Sequence, residues 1–147
     1  MERTMIENLR QCIGQKVKIQ GFLQTLRDQK KMQFLIIRDT TGLVQVAFWK
    51  PNDPALADLI SGITVESSVT ITGTVVDNPV VKLGGIEIQL ETLEVENLAG
   101  AQLPLDPFAE TLPAIDYRLD WRYLDLRRPV NLLLFKVQTL AEMAMRE

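Results

Sequence analysis

The chain has 147 residues, of which 46% are hydrophobic and 24% charged, and a net charge of −3, a balance that suits one globular domain with an extension attached. A single cysteine, Cys12, and no histidine exclude an internal disulfide, the common zinc clusters and any histidine-based catalytic triad. No apolar run approaches the roughly 20 residues that span a bilayer and the N-terminus lacks a secretion-signal pattern, so a cytoplasmic location is expected.

In chain order, Thr4 and Glu7 have the spacing of a capping box, Ile6, Leu9 and Ile13 recur at near-helical intervals, and Gly14 suits the left-handed stop. A short N-terminal helix is predicted, with Cys12 as a small, at least half-buried apolar residue within it. From Lys16 the pattern becomes an alternation, Val17, Ile19, Gly21 and Leu23 on one face and Lys18, Gln20, Phe22 and Gln24 on the other, which predicts a strand. Gly21 marks a bend or bulge within it, as a strand shared between two sides of a small barrel requires. Arg27 to Lys31 reads as a polar turn, Met32 to Ile37 as a second strand, and Asp39 to Gly42 as the turn of a hairpin into a third, Leu43 to Trp49. Ala55, Leu56, Leu59 and Ile60 predict a short helix that Asp53 caps and Gly62 ends. Val65 to Val76 and Ile86 to Val95 are predicted as strands four and five, around a loop bracketed by Asn78-Pro79 and Gly84-Gly85.

Three strands, a helix and two more strands is the order of an all-β, five-stranded OB-fold Greek-key barrel, here with an N-terminal helix and a C-terminal helical extension. Other small barrels share part of that order; the helix between strands three and four favours the OB reading, because it plugs one end of such a barrel while oligonucleotides lie across strands two and three. The barrel is assigned to residues 1–100. Pro104, Pro107 and Pro113 stiffen an extended connection, and residues 101–128 are assigned as a linker or hinge. Within it, residues 116–128 mix acids and arginines with Trp121, Tyr123 and Leu126, a composition suited to docking on a neighbour. Pro129 then opens a helix over 129–147 whose apolar surface is broad enough to require a partner, either a continuation of its own domain or another chain.

The charge is unevenly spread. Residues 1–50 carry nine Lys/Arg against four Asp/Glu, and residues 51–110 carry one against ten, so one face can be positive despite the acidic total. An OB barrel holds single-stranded nucleic acid by stacking aromatics, polar side chains that read base edges and cations that meet phosphate. Phe34, on the outward alternation of strand two, offers a platform for an unstacked base; the competing reading is that it fills the barrel. Gln45 breaks the apolar run LVQVAF with an amide that both donates and accepts. Glu87 can accept from a base amino group, although a strand glutamate is more often only solvated. Arg27, Lys30, Lys31 and Lys82 are loop cations, each ordinary as a surface charge taken alone. A Walker loop, a dinucleotide fingerprint and a nucleophile with an evident base are all missing from the sequence.

The run VKIQGFLQTLRDQKKMQFLIIRDTTGLVQVAF (17–48) resembles the first three strands of the anticodon-binding domain of aspartyl-tRNA synthetases. There a glycine-aromatic pair, an Arg-Asp turn, a Phe-containing strand ending in Arg-Asp, and Gly-x-Val-Gln follow in the same order. LPLDP (103–107) and RLDWRYLDLRRP (118–129) resemble the hinge of these class II enzymes, most closely the archaeal and eukaryote-like type. Asparaginyl- and lysyl-tRNA synthetases share the barrel, while the DLRRP ending looks aspartyl. Phe22 stands where many members have Trp, and Lys30-Lys31 replaces a frequent glycine pair. The resemblance implies that Phe34 stacks on the central uridine of the anticodon, that Gln45 and Glu87 read base edges, and that Arg27 supports the same loop. It further implies a parent aspartate-tRNA ligase using ATP and magnesium held elsewhere, a cofactor-free and inactive chain on its own, aspartate tRNA as partner, and a missing catalytic domain or second subunit against residues 130–147. The alternatives are a free-standing OB protein for single strands, a regulatory synthetase paralogue that docks through its C-terminal helix, and an interaction module without nucleic acid.

Overall fold

The computed structural model describes residues 2–146; Met1 and Glu147, at the two ends of the assigned segments, lie outside the described residues. The chain forms two compact units, the first ending at Ala101 and the second beginning at Gln102. The first is a closed five-stranded barrel in the order β1-β2-β3-β5-β4. Its strands are β1 (Lys16–Asp28), β2 (Met32–Arg38), β3 (Leu43–Trp49), β4 (Ser68–Asp77) and β5 (Ile86–Asn97). Neighbours pair antiparallel except β3 and β5, which run parallel and close the barrel through Gln45↔Glu87, Val46↔Ile88 and Ala47↔Gln89. The expected barrel is present, with the five strands in the expected sequence order.

β1 serves two partners. Its first half pairs with β4, Lys16↔Thr74 through Phe22↔Ser68, and its second half pairs with β2, Phe22↔Arg38 through Asp28↔Gln33, with a register shift between Leu23 and Thr25. Gly21 sits at the handover, where a Cβ would lie 2.4 Å from the Arg38 carbonyl oxygen; only glycine lets the two backbones approach so closely. The bulge itself falls at Gln24, three residues beyond the predicted glycine. There the Leu23 amide donates to Ser67 O at 2.9 Å and the Glu66 amide to Leu23 O at 2.7 Å, so the backbone groups freed by the bend are satisfied by the segment before β4. Glu66, buried and at φ 69°, takes a fork from Arg38, whose Nη2 lies 3.0 Å from each carboxylate oxygen. The Arg38 guanidinium also lies 5.8 Å from the Phe22 ring centroid.

The inner alternation of the strands, including Val17, Ile19, Leu23, Leu35, Ile37, Val44, Val46, Ile71 and Ile88, fills one continuous core. Gln33 occupies an inner position with no exposure, and its amide nitrogen donates to Ala57 O and to Ser61 Oγ, both at 2.9 Å. The Ser61 hydroxyl donates onward to Asp28 Oδ2 at 2.6 Å. These bonds hold α1 (Pro54–Ser61) against the ends of β1 and β2. Asp53 caps α1 as predicted, accepting from the Leu56 amide.

Several boundaries differ from the sequence reading. The N-terminal element is a 3-10 helix, Ile6–Cys12, with no side-chain cap from its own segment. Asp39 Oδ2 and Thr41 Oγ1, from the β2–β3 turn, accept instead from the amides of Ile6 and Glu7, so long-range contacts replace the Thr4/Glu7 box. Arg27 and Asp28 belong to β1, leaving Gln29 to Lys31 as the turn. β4 starts at Ser68 rather than Val65, because Glu66 and Ser67 are committed to Leu23. In the second unit, the stretch assigned as a linker or hinge contains, after its prolines, the short helices α2 (Ile115–Asp120) and α3 (Arg122–Asp125), before α4 (Pro129–Arg146). Arg118 joins α2 to α3 through a two-pronged pair with Asp125, Nε to Oδ1 at 2.9 Å and Nη2 to Oδ2 at 3.1 Å. This ion pair ties the two short helices of the acid-arginine run to each other. On α4, Val130, Leu133, Leu134, Val137, Leu140 and Met143 are exposed.

Candidate nucleic-acid interface

Strand parity places the four candidate side chains on the outer wall of the barrel. Leu35 and Ile37 point inward on β2, and Val44 and Val46 inward on β3, so Phe34 and Gln45 face out. Phe34 is half-buried rather than sealed in the core. Arg27 pairs with Phe34 across β1 and β2, and its guanidinium lies 5.5 Å from the ring centroid, within reach of the ring's negative face. The same guanidinium donates from Nη2 to Gln45 Oε1 at 3.5 Å, a long contact that orients more than it binds. Gln45 Nε2 in turn donates to Glu87 Oε2 at 3.1 Å, and the two residues are register partners across the parallel β3–β5 pair. Phe34, Arg27, Gln45 and Glu87 thus form one chain of contacts crossing four strands.

Chemically, this arrangement offers a stacking face with an exposed cation beside it, and an amide whose orientation is set from both sides. With its oxygen turned to Arg27 and its nitrogen to Glu87, Gln45 presents a defined donor and acceptor rather than a rotor. Lys30 and Lys31 are exposed in the β1–β2 turn, and Lys82 in the β4–β5 loop. Asp28, at the end of β1, is held down to about 2 by the bond from Lys50 first, then by Ser61 and Gln33, so the strand terminus beside the turn stays anionic and anchored. Among the described residues no group of His, Cys, Asp or Glu is placed to hold a metal ion.

Two features of this wall were not singled out in the sequence. Trp49 ends β3 with the outward parity of Gln45 and is 42% exposed, with Lys31 Nζ 6.0 Å from its ring centroid. Beside it lies an open cavity of about 380 Å³ lined in part by Met32, Ala47, Trp49, Asn52, Glu87 and Gln89. The available signal was the two-residue spacing Gln45, Ala47, Trp49, which continues the outward face past the end of LVQVAF. The cavity itself had no signal, since its lining comes from strands far apart in sequence.

Closed barrel, helix against its end, and an outer wall carrying aromatic, cation and amide define an OB module. The profile of the tRNA anticodon family, described as an OB-fold nucleic acid binding domain, matches residues 17–97. The chain belongs to this family of anticodon-binding OB domains, as found in the aspartate- and asparagine-tRNA ligases. It is 40% identical over 135 residues to the aspartate-tRNA(Asp) ligase of Thermococcus kodakarensis, covering 91% of this chain and 31% of that protein. It is 33% identical over 147 residues to the asparagine-tRNA ligase of Desulforamulus reducens, covering all of this chain and 33% of that one. The crystal structure of asparaginyl-tRNA synthetase from Pyrococcus horikoshii with asparaginyl-adenylate superposes with a TM-score of 0.88 at 29% identity, over 99% of this chain and 33% of that chain. The chain therefore spans about a third of the length of the relatives it matches. No helix among the described residues is long and apolar enough to cross a membrane.

Proposed function

We infer that the barrel holds the anticodon loop of aspartate tRNA for an aspartate-tRNA ligase whose catalytic portion lies outside this chain. The observation that carries the reading is the outward Phe34 joined through Arg27 to the Gln45–Glu87 pair, on the barrel of an anticodon-binding family. In this reading Phe34 stacks on the central uridine, Gln45 and Glu87 read base edges, and Arg27 supports the loop from the side. ATP and magnesium belong to the catalytic portion, and no step of that chemistry passes through the residues described here. The exposed apolar side chains of α4 serve as the contact for that portion or for a second subunit.

The test is equilibrium titration of an aspartate anticodon stem-loop into the chain. Phe34→Ala is expected to weaken binding by roughly 1–3 kcal/mol, the worth of one stacked base, and affinity should fall as salt rises. Replacing the central uridine should also weaken binding. Equal affinity of the wild type and Phe34→Ala would falsify the stacking role. Aspartate and asparagine anticodons share the central base and differ at the third, so a stem-loop of each kind measures which tRNA the barrel prefers. Equal binding would point to a ligase that serves both.

A further inference from the structure

We propose that Trp49, with Lys31, Met32, Asn52 and Gln89 around it, forms a second stacking subsite that takes the nucleotide next to the one on Phe34. This rests on the reading of the outer wall as an anticodon-binding face and extends it by one position. Trp49 is register partner to Met32, and Phe34, two residues further along β2, is partner to Ala47. The two rings therefore stand on adjacent strands with a two-residue offset, about 7 Å along the strand direction, a step that one nucleotide of an extended strand covers.

Between them the wall dips. Ala47 has outward parity yet is buried at 7%, and it pairs with Phe34 on one side and Gln89 on the other, so a small side chain forms the floor of the 380 Å³ cavity. Trp49 supplies one wall, and Asn52 and Gln89 bring amides that can meet a base edge. Glu87 lines the same cavity while accepting from Gln45, so the two subsites share a residue. Glu91 also lines it, paired with Lys16 at 2.5 Å. With carboxylates in its lining the cavity suits a base and a ribose hydroxyl rather than a phosphate. The phosphate belongs at the rim, where Lys31 lies over the indole. The Lys50 amide donates to Lys31 O at 3.0 Å, which fixes the turn that carries this cation to the end of β3.

The experiment uses the full chain and anticodon stem-loops in which each loop nucleotide is made abasic in turn. Trp49→Ala is expected to weaken binding about tenfold or more, and Trp49→Phe, which keeps a ring, by less than about threefold. One abasic position should abolish the difference between wild type and Trp49→Ala, and it should neighbour the position that abolishes the difference for Phe34→Ala. If Trp49→Ala binds like the wild type while Phe34→Ala is weakened, the second subsite is overturned and the anticodon reading stands. Loss in Trp49→Ala that no abasic position cancels, or equal loss in Trp49→Phe, also overturns it, since the loss then comes from disturbed folding. Absence of binding by the wild type at low salt overturns the anticodon reading itself.

Discussion

At the scale of single residues, parity does most of the positioning. Gln45 is legible because Val44 and Val46 on either side of it face the core, a relation that survives whatever the strand packs against. Phe34 lies between the polar Gln33 and Leu35, so its pattern leaves wall and core both open, and the burial of those two neighbours decides that it faces out. Arg27 reads as a turn residue because Arg-Asp-Gln-Lys-Lys is polar throughout; nothing local shows that β1 continues to Asp28, where its pairing with Gln33 and its bonds to Ser61 and Lys50 hold it. Glycines with close neighbours give a sharp test. A Cβ on Gly73 would lie 2.2 Å from Gln89 O, at the second register shift of β4 against β5. Gly73→Ala is therefore expected to cost about 2–3 kcal/mol through forced backbone movement, read as a lower urea midpoint. An unchanged midpoint would show that the β4–β5 bulge yields freely.

At the scale of elements, what holds a segment is often supplied from elsewhere. The Glu66 carboxylate, 4% exposed, fixes both Arg38 at the end of β2 and, through its backbone, the bulge of β1. Glu66→Gln leaves a buried guanidinium without its counter-charge and is expected to cost about 3–5 kcal/mol, measured by chemical denaturation. A loss below about 1 kcal/mol, of the size seen for an exposed ion pair, would contradict this account. Asp53→Ala, by contrast, removes an exposed cap and should cost only about 1 kcal/mol. The Asp53 cap was readable because donor and acceptor lie three residues apart; the cap on the N-terminal 3-10 helix was not, because its acceptor Asp39 lies 33 residues away from Ile6.

For the molecule as a whole, acid stability follows from three carboxylates. Asp28 is lowered to about 2 by Lys50, Ser61 and Gln33. Burial pushes Asp39 up, but bonds from Thr41 and from the amides of Ile6, Thr41 and Gly42 outweigh it and leave it lowered. Asp125 is lowered chiefly by the bond from Arg118. A carboxylate with a depressed folded-state value contributes stability that is present above its unfolded value and lost as pH falls through the folded one. The denaturation midpoint should therefore hold above about pH 4 and fall toward pH 2, with a shallower fall in Asp28→Asn. A midpoint flat down to pH 2 would remove these groups from the account. The exposed apolar residues of α4 predict concentration-dependent self-association of the chain, which sedimentation would detect. A sharp, stable dimer would instead favour a self-sufficient regulatory protein over a part of a ligase.

The sequence by itself determined where most strands run, which faces they bury, the cap and stop of α1, and Gln45 as the polar break in an apolar strand, while the choice of wall over core for Phe34 came from the packed barrel. The features read from the sequence rest on periods of two residues or on contacts within one turn, which the chain carries locally. Only the tertiary structure decided the parallel closure of β3 on β5, the bulge at Gln24, the borrowed cap of the first helix and the cavity beside Trp49. Each depends on groups dozens of residues apart meeting in register, and a single chain pattern does not encode which distant backbone will supply the missing partner.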